Sequence, residues 1–308
     1  MILYILLLIV LTVLVFKVLK YNRIEGFKSD LTNTNKNNKK CLIVYYGGSF
    51  REGNIGSTLH DTQYGYESQK NASITHAKLK QILNKKGFET DILINTRHTE
   101  YKKDLLNWYN PFNIIINKIP IQIHGKDYMI TSCIENINNL KKEEYKFILF
   151  IRIDLFLKPD FFNVLNTESN KIMFLANNYD AKRCTNYNNG EPEVVDLFLY
   201  IPNKYFYILD NKFKLNHDAL SYLKKRYKLN DTDFNFMTNK IFDSNSFIDL
   251  NSYYVMGSRS ENKEMHTNEL FENKKINKKN CKYDIYYQKY LINPTDFYLN
   301  KYKDFYLT

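Results

Sequence analysis

Arg152 and Asp154 stand two residues apart in KFILFIRIDLFLKPDF (146–161), where an unbroken apolar run from Phe147 to Ile151 comes to its end. Side chains at alternate positions of a β-strand leave from the same face, so the two charges are neighbours. Removing such a pair from water costs several kcal/mol per ion unless a partner or a ligand compensates. Two readings stay open from these residues alone. One is a structural Arg–Asp pair closing off a buried strand. The other is a binding site, because in open parallel sheets ligands occupy the crevice beyond the carboxyl ends of the strands. A carboxylate there suits Mg²⁺ or Mn²⁺, and a guanidinium suits phosphate. The chemistry they suggest is that of a phosphate and metal site.

Two other stretches end in the same way. CLIVYY (41–46) runs directly into Gly47-Gly48-Ser49-Phe50-Arg51-Glu52-Gly53. Paired glycines after a first strand permit a tight turn or a close approach of backbone to ligand. The loop is neither a GxGxxG fingerprint nor a phosphate loop with its lysine. ETDILINT (89–96) is a second strand, ending at Arg97-His98.

The elements that would position these residues alternate. The spacing predicts strand 41–46, helix 71–86 stopping at Gly87, strand 89–96, helix 99–109, strand 112–117, helix 127–145 and the strand leading to Asp154. Alternation of this kind implies an open, mostly parallel sheet with helices on both faces. Under that topology Gly47, Gly48, Ser49 and Arg51, then Arg97, then Arg152 and Asp154, converge on one rim. Further on, KIMFLA (171–176) and VVDLFLYIP (194–202) read as strands, the second with one internal acid, Asp196. Residues 177–193 form a long polar loop. Helices are expected over 203–210, 216–228 and 231–242, with Asp231-Thr232-Asp233 capping the last of them. SYYVMG (252–257) suits a final strand, with Arg259 beyond it.

Composition narrows the function classes. The 308 residues are 44% apolar and 16% aromatic, enough for a sizeable core. The net charge of +11 is carried mostly by lysines scattered among Asn, Ile and Tyr. No Lys/Arg-rich helix, RNP-like motif or zinc-finger spacing supports a nucleic-acid partner. Cys41 and Cys133 sit in apolar segments as core thiols, while Cys184 and Cys281 lie in polar ones. His60, His76, His98, His124, His217 and His266 are dispersed, with no HExxH, and read as surface or packing residues. The apolar stretch 1–19 is about the shortest length that spans a bilayer and lacks the exit of a cleaved signal peptide. It reads as a transmembrane signal anchor, followed by a flexible polar stem over 20–40, an α/β domain over 41–260 and a Lys/Asn/Tyr-rich tail over 261–308. Lys17, Lys20 and Arg23 follow the anchor and place the domain in the cytoplasm by the positive-inside rule. The sequons at Asn71 and Asn230 would favour a lumen instead, although a chain this rich in Asn carries two by chance.

FILFIRIDLFLKPDF resembles the strand that carries the Asp-x-Asp motif of GT-A-type glycosyltransferases, and more closely of the glycosyltransferase-like proteins of large DNA viruses and algae. VVDLFLYIPNKYF and SYYVMGSR resemble their acceptor-side acid and C-terminal aromatic–Arg segment. The resemblance covers 41 to about 260. It implies a Rossmann-like, GT-A-type fold, a nucleotide-sugar donor, a glycan or protein acceptor, and a lumenal setting, against the flanking charge. It also implies Asp154 as ligand of Mn²⁺ or Mg²⁺, Arg152 on phosphate or paired with Asp154, and Asp196, with Asp218 as alternate, as base or acceptor-binding acid. The topology adds Gly47, Gly48, Ser49, Arg51 and Arg97 about the nucleotide. The departure is Arg152, which stands where the first Asp of the motif belongs and puts metal dependence in doubt, since an Arg can take over part of a cation's role. The alternative readings are a non-catalytic, membrane-anchored binding or scaffold protein on a degenerate version of this fold, and a different nucleotide-dependent transferase.

Overall fold

The computed structural model describes residues 39–52, 59–117, 125–175, 177–178, 193–194, 197–216, 218–237, 254–256 and 294–308. Expectations for the anchor, most of the stem, Arg183, Cys184, Asp196, Arg259 and Cys281 fall outside these residues. Among the described residues no helix is long and apolar enough to cross a membrane.

The first half alternates strand and helix. After β1 (Lys39–Tyr46) come a short antiparallel pair, β2 (Arg51–Glu52) and β3 (Leu59–His60), and helix α1 (Gln63–Lys85). Next are β4 (Phe88–Arg97), α2 (Lys102–Tyr109), β5 (Asn113–Asn117), α3 (Gly125–Asn138) and β6 (Tyr145–Arg152). The chain turns at Ile153 and Asp154 into β7 (Leu155–Leu157), α4 (Pro159–Val164) and β8 (Ile172–Phe174). The pair β9 (Asn177–Asn178) and β10 (Glu193–Val194), then β11 (Phe198–Pro202), a 3-10 turn at Asn203–Ile208, and α5 (Ala219–Tyr227) come after it. A 3-10 turn at Asp231–Asp233 leads to β12 (Phe234–Phe236). The last elements are β13 (Tyr254–Met256), α6 (Pro294–Lys301) and α7 (Lys303–Leu307).

Seven strands form the main sheet in the order β12-β8-β11-β6-β1-β4-β5. All neighbours run parallel except β11, which is antiparallel to both β6 and β8. The central strands β1 and β6 are apolar on both faces because both faces are covered. Cys41, Ile43 and Tyr45 pack with Leu79 and Leu83 of α1 and with Leu105 and Tyr109 of α2. Leu42, Val44 and Tyr46 pack on the other side with Ile130, Cys133, Ile134 and Ile137 of α3 and Leu220 and Leu223 of α5. Cys41 and Cys133 are free, buried thiols, and burial pushes Cys41 up to about 12.

Helix α1 begins at Gln63, earlier than apolar spacing suggests, because Thr62 Oγ1 accepts the Gly65 N–H at 3.0 Å. Gly65 is needed there for space: a β-carbon would lie 2.4 Å from the Phe50 carbonyl oxygen. The helix expected over 231–242 is not formed across 231–237. Asn230 and Asp233 make a capping box, but only one 3-10 turn is built before Phe234–Phe236 pairs with Ile172–Phe174. Sheet pairing and burial of Phe234 override local helical preference. The sequon residue Asn71 is only 5% exposed and its amide donates to Thr295 Oγ1 at 3.0 Å and to Asp296, which closes it to modification in the folded chain.

Candidate anion-binding cleft

Three parallel strands deliver the candidate residues to one place. β1 ends at Tyr46 in register with Asn95 of β4 and Arg152 of β6. The chain that leaves each strand therefore crosses the same rim. Gly47 takes φ +110°, a conformation that a side chain disfavours. Phe50 also has positive φ, +51°, and is fully buried against Tyr66, Tyr101 and Trp108. Those aromatic contacts hold the strained turn in place.

Beyond the rim lies a cavity of about 150 Å³. Gly47 and Gly48 form part of its wall, Tyr46 and Met129 contribute apolar surface, and Arg51, His60, Arg97 and Arg152 supply the polar lining. A β-carbon on Gly48 would come within 3.3 Å of His60 and 3.4 Å of Arg51, so the turn is small where these side chains converge. Arg97 Nη1 lies 3.3 Å from His60 Nε2. His60 is held below its ordinary range by burial first, then by the Arg97 and Arg51 charges.

Asp154 sits behind this lining, 5% exposed. Arg152 donates to it through Nε at 2.9 Å and through Nη2 at 2.5 Å, a two-point pair. Arg51 Nε stands 3.7 Å from the same carboxylate. The structural reading of the Arg152–Asp154 pair is thus realised, and it is realised beside a cavity. Ser49 is buried, its N–H donating to Thr96 Oγ1 at 2.9 Å, so it braces the turn and does not face the cleft.

Of the predicted site residues, Gly47, Gly48, Arg51, Arg97 and Arg152 are brought together. Asp218 is not among the lining residues; it stands exposed at the N-terminus of α5. Asp196 lies outside the described residues, but the next residue, Leu197, accepts the Arg152 N–H at 3.1 Å. His60 was not among the predicted site residues. The available signal was a histidine just ahead of Asp61-Thr62, a segment too short and polar to show strand periodicity.

The described residues do not fit a divalent cation at this point. Both oxygens of Asp154 are engaged by guanidinium groups, and the cleft presents three arginines and a histidine. Among the described residues, no group of three or more His, Cys, Asp or Glu is placed to hold a metal.

No protein-family model and no curated protein sequence matches the chain. Solved structures do. A mutant of Drosophila β1,4-galactosyltransferase 7, in complex with manganese, UDP-Gal and xylobiose, is 12% identical over 77% of this chain and 80% of that chain, with TM-score 0.37. A glycosyltransferase involved in glycosylating the major capsid of the virus PBCV-1 is 8% identical over 70% and 94%, with TM-score 0.33. The inositol-1-phosphate CTP transferase of T. maritima is 13% identical over 70% and 95%, with TM-score 0.35. These likenesses are too slight to bear on the site, whose chemistry rests on its own geometry.

Proposed function

We propose that the chain is a GT-A-type glycosyltransferase that takes a nucleotide-sugar donor and delivers the sugar to a glycan or protein acceptor. The observation that carries this reading is the convergence of Arg51, Arg97 and Arg152 on a cleft at the carboxyl ends of parallel strands. A donor diphosphate brings oxygens that guanidinium groups recognise, and the glycine turn lets it approach the backbone. Asp154 orients two of the arginines. Asp196, next in sequence to a residue bonded to Arg152, is the candidate base for the acceptor hydroxyl, ahead of Asp218. Residues 1–19 tether the domain to a membrane.

The test is a panel of UDP- and GDP-sugars offered to the full chain in detergent, read by thermal shift and by donor hydrolysis. Binding that weakens in Arg97→Gln, with hydrolysis lost in Asp196→Asn, supports the assignment. A panel that produces no shift and no hydrolysis removes it. A second reading, donor binding without turnover, is favoured by the lack of any carboxylate among the described residues lining the cleft. Binding that survives with no turnover toward any acceptor would select it.

A further inference from the structure

We propose that Asp61 is a positioning residue for the cleft: its carboxylate fastens the β2–β3 hairpin to the loop after β4, and so sets Arg51 and His60 against Arg97. The nature of the ligand rests on the proposed function, whereas the tether rests on geometry alone.

Two unequal pieces build this side of the cleft. Arg97 ends β4, a strand paired on both sides within the seven-stranded sheet. Arg51 and His60 belong instead to a separate ladder of two residue pairs. They are direct cross-strand partners, so their side chains leave the same face. A two-stranded hairpin is marginal by itself, and its placement against the sheet has to come from its ends. At the entry, Phe50 packs on Tyr101 and Trp108. At the exit stands Asp61.

Asp61 follows His60 directly. Its N–H donates to the Phe50 carbonyl at 2.8 Å and closes the base of the hairpin. Its Oδ1 accepts the Thr99 hydroxyl at 2.7 Å, and its Oδ2 accepts the Glu100 N–H at 3.4 Å. Thr99 is buried, lies two residues beyond Arg97, and accepts the Tyr101 N–H at 3.1 Å. One side chain thus spans from the exit of the hairpin to the loop that leaves Arg97. On the cleft side of that span, Arg97 Nη1 stands 3.3 Å from His60 Nε2.

The backbone points the same way. Asp61 has φ +57°, a conformation that glycine enters freely and an aspartate only at some cost. A strained position of this kind persists where the surroundings over-determine it. What the aspartate has and a glycine lacks is the carboxylate on Thr99. Its service to the cleft is geometric, because as a charge a carboxylate beside an anion site opposes binding.

The experiment titrates the full chain in detergent with UDP, GDP and inorganic pyrophosphate by calorimetry. Asp61→Gly accepts the positive φ and removes the carboxylate. Asp61→Asn tolerates the φ and keeps an oxygen for the Thr99 hydroxyl. Thr99→Val removes the hydroxyl and changes no charge. By charge alone, both Asp61 variants should bind anions more tightly than the parent. The tether predicts the reverse for Asp61→Gly, a loss of about tenfold, the size of one charge-assisted hydrogen bond. Thr99→Val should also weaken binding, and the double variant should lose no more than Asp61→Gly. Asp61→Asn should bind at least as well as the parent. Melting curves without ligand report which variants are folded, and Thr99→Val decides if Asp61→Gly is not. Affinity that is unchanged or increased in a folded Asp61→Gly, or unchanged in a folded Thr99→Val, overturns the tether while leaving the donor assignment intact. No binding of any probe by the parent chain overturns both.

Discussion

Two clusters of polar side chains lie on opposite sides of the turn at Ile153, and they are balanced in opposite ways. In the cleft, Arg51, His60, Arg97 and Arg152 face a cavity, with Asp154 behind them paired to Arg152 and near Arg51. Beneath it, Gln69, His76 and Tyr109 close on one another. Gln69 Nε2 donates to Tyr109 Oη at 3.0 Å and to the Ile153 carbonyl at 2.8 Å, and His76 Nδ1 lies 2.9 Å from the same phenol. Tyr45 stacks on the imidazole at 4.3 Å. The lower cluster carries no net charge, and burial pushes His76 down to about 3. Burying polar groups is therefore no mark of a binding site by itself. A neutral set sealed in the interior is framework, even with Gln69 Oε1 and His76 Nε2 left without hydrogen-bond partners among the described residues. Cationic side chains lining an opening are placed to meet an anion. The two are also joined, since the residue between Arg152 and Asp154 is the one that Gln69 holds.

The most severe way to break the contrast is to remove the acid that pairs with Arg152. Asp154→Ala leaves the largely buried Arg152 and Arg51 without that carboxylate and should cost about 3–5 kcal/mol. Urea denaturation would measure it. Asp154→Ala combined with Arg152→Met should recover part of the loss, because the uncompensated charge goes with the arginine. Equal stability of the single and double variants would show that the pair is not what holds the turn.

The lower cluster separates into one member that matters and one that does not. Tyr109→Phe removes the hydroxyl shared by Gln69 and His76, and should cost about 1–3 kcal/mol. The Tyr45 hydroxyl is buried with no hydrogen-bond partner among the described residues, so Tyr45→Phe should be neutral within about 0.5 kcal/mol or stabilising. Neither change should alter ligand affinity in a chain that stays folded. A loss of binding in Tyr45→Phe would mean that the two clusters are one functional unit.

The alternation of β1, β4, β5 and β6 with helices was legible because those strands are short apolar runs with helix-spaced segments between them. The rim came from topology alone, which is why Gly47, Arg51, Arg97 and Arg152 were found together. The residues did not disclose direction within the rim. Arg152 and Asp154 share a face whether they bind a ligand or each other, and only coordinates show the carboxylate turned inward. His60 was missed because two-residue strands have no period to detect. The 231–242 helix was misjudged because Asn230-Asp231-Thr232-Asp233 is a sound helix start, whereas the fate of Phe234–Phe236 was decided by pairing with the distant strand β8. The burial of the Asn71 sequon was not legible because its partners, Thr295 and Asp296, lie more than two hundred residues away.

The gentlest test contrasts the two histidines by pH. His76 has its pKa depressed by burial from 6.5 to about 3, so it stays neutral when folded while the unfolded chain takes up a proton. The stability this gives is fully present above pH 6.5 and is lost as pH falls from there towards 3. His60 is also shifted downward, with the same sign, by burial and by Arg97 and Arg51; the Ser49 backbone and Asp61 act against that shift. An anion in the cleft offsets the two arginine charges and favours protonated His60, but it cannot reach the sealed His76. Pyrophosphate affinity should therefore rise as pH is lowered from 8 to 6, by less than about tenfold, since a tenfold change corresponds to one whole unit of pKa. Calorimetry in two buffers of different ionisation enthalpy would show fractional proton uptake, abolished in His60→Gln. Uptake that persists in His60→Gln would place the titrating group elsewhere and remove His60 from the cleft's chemistry.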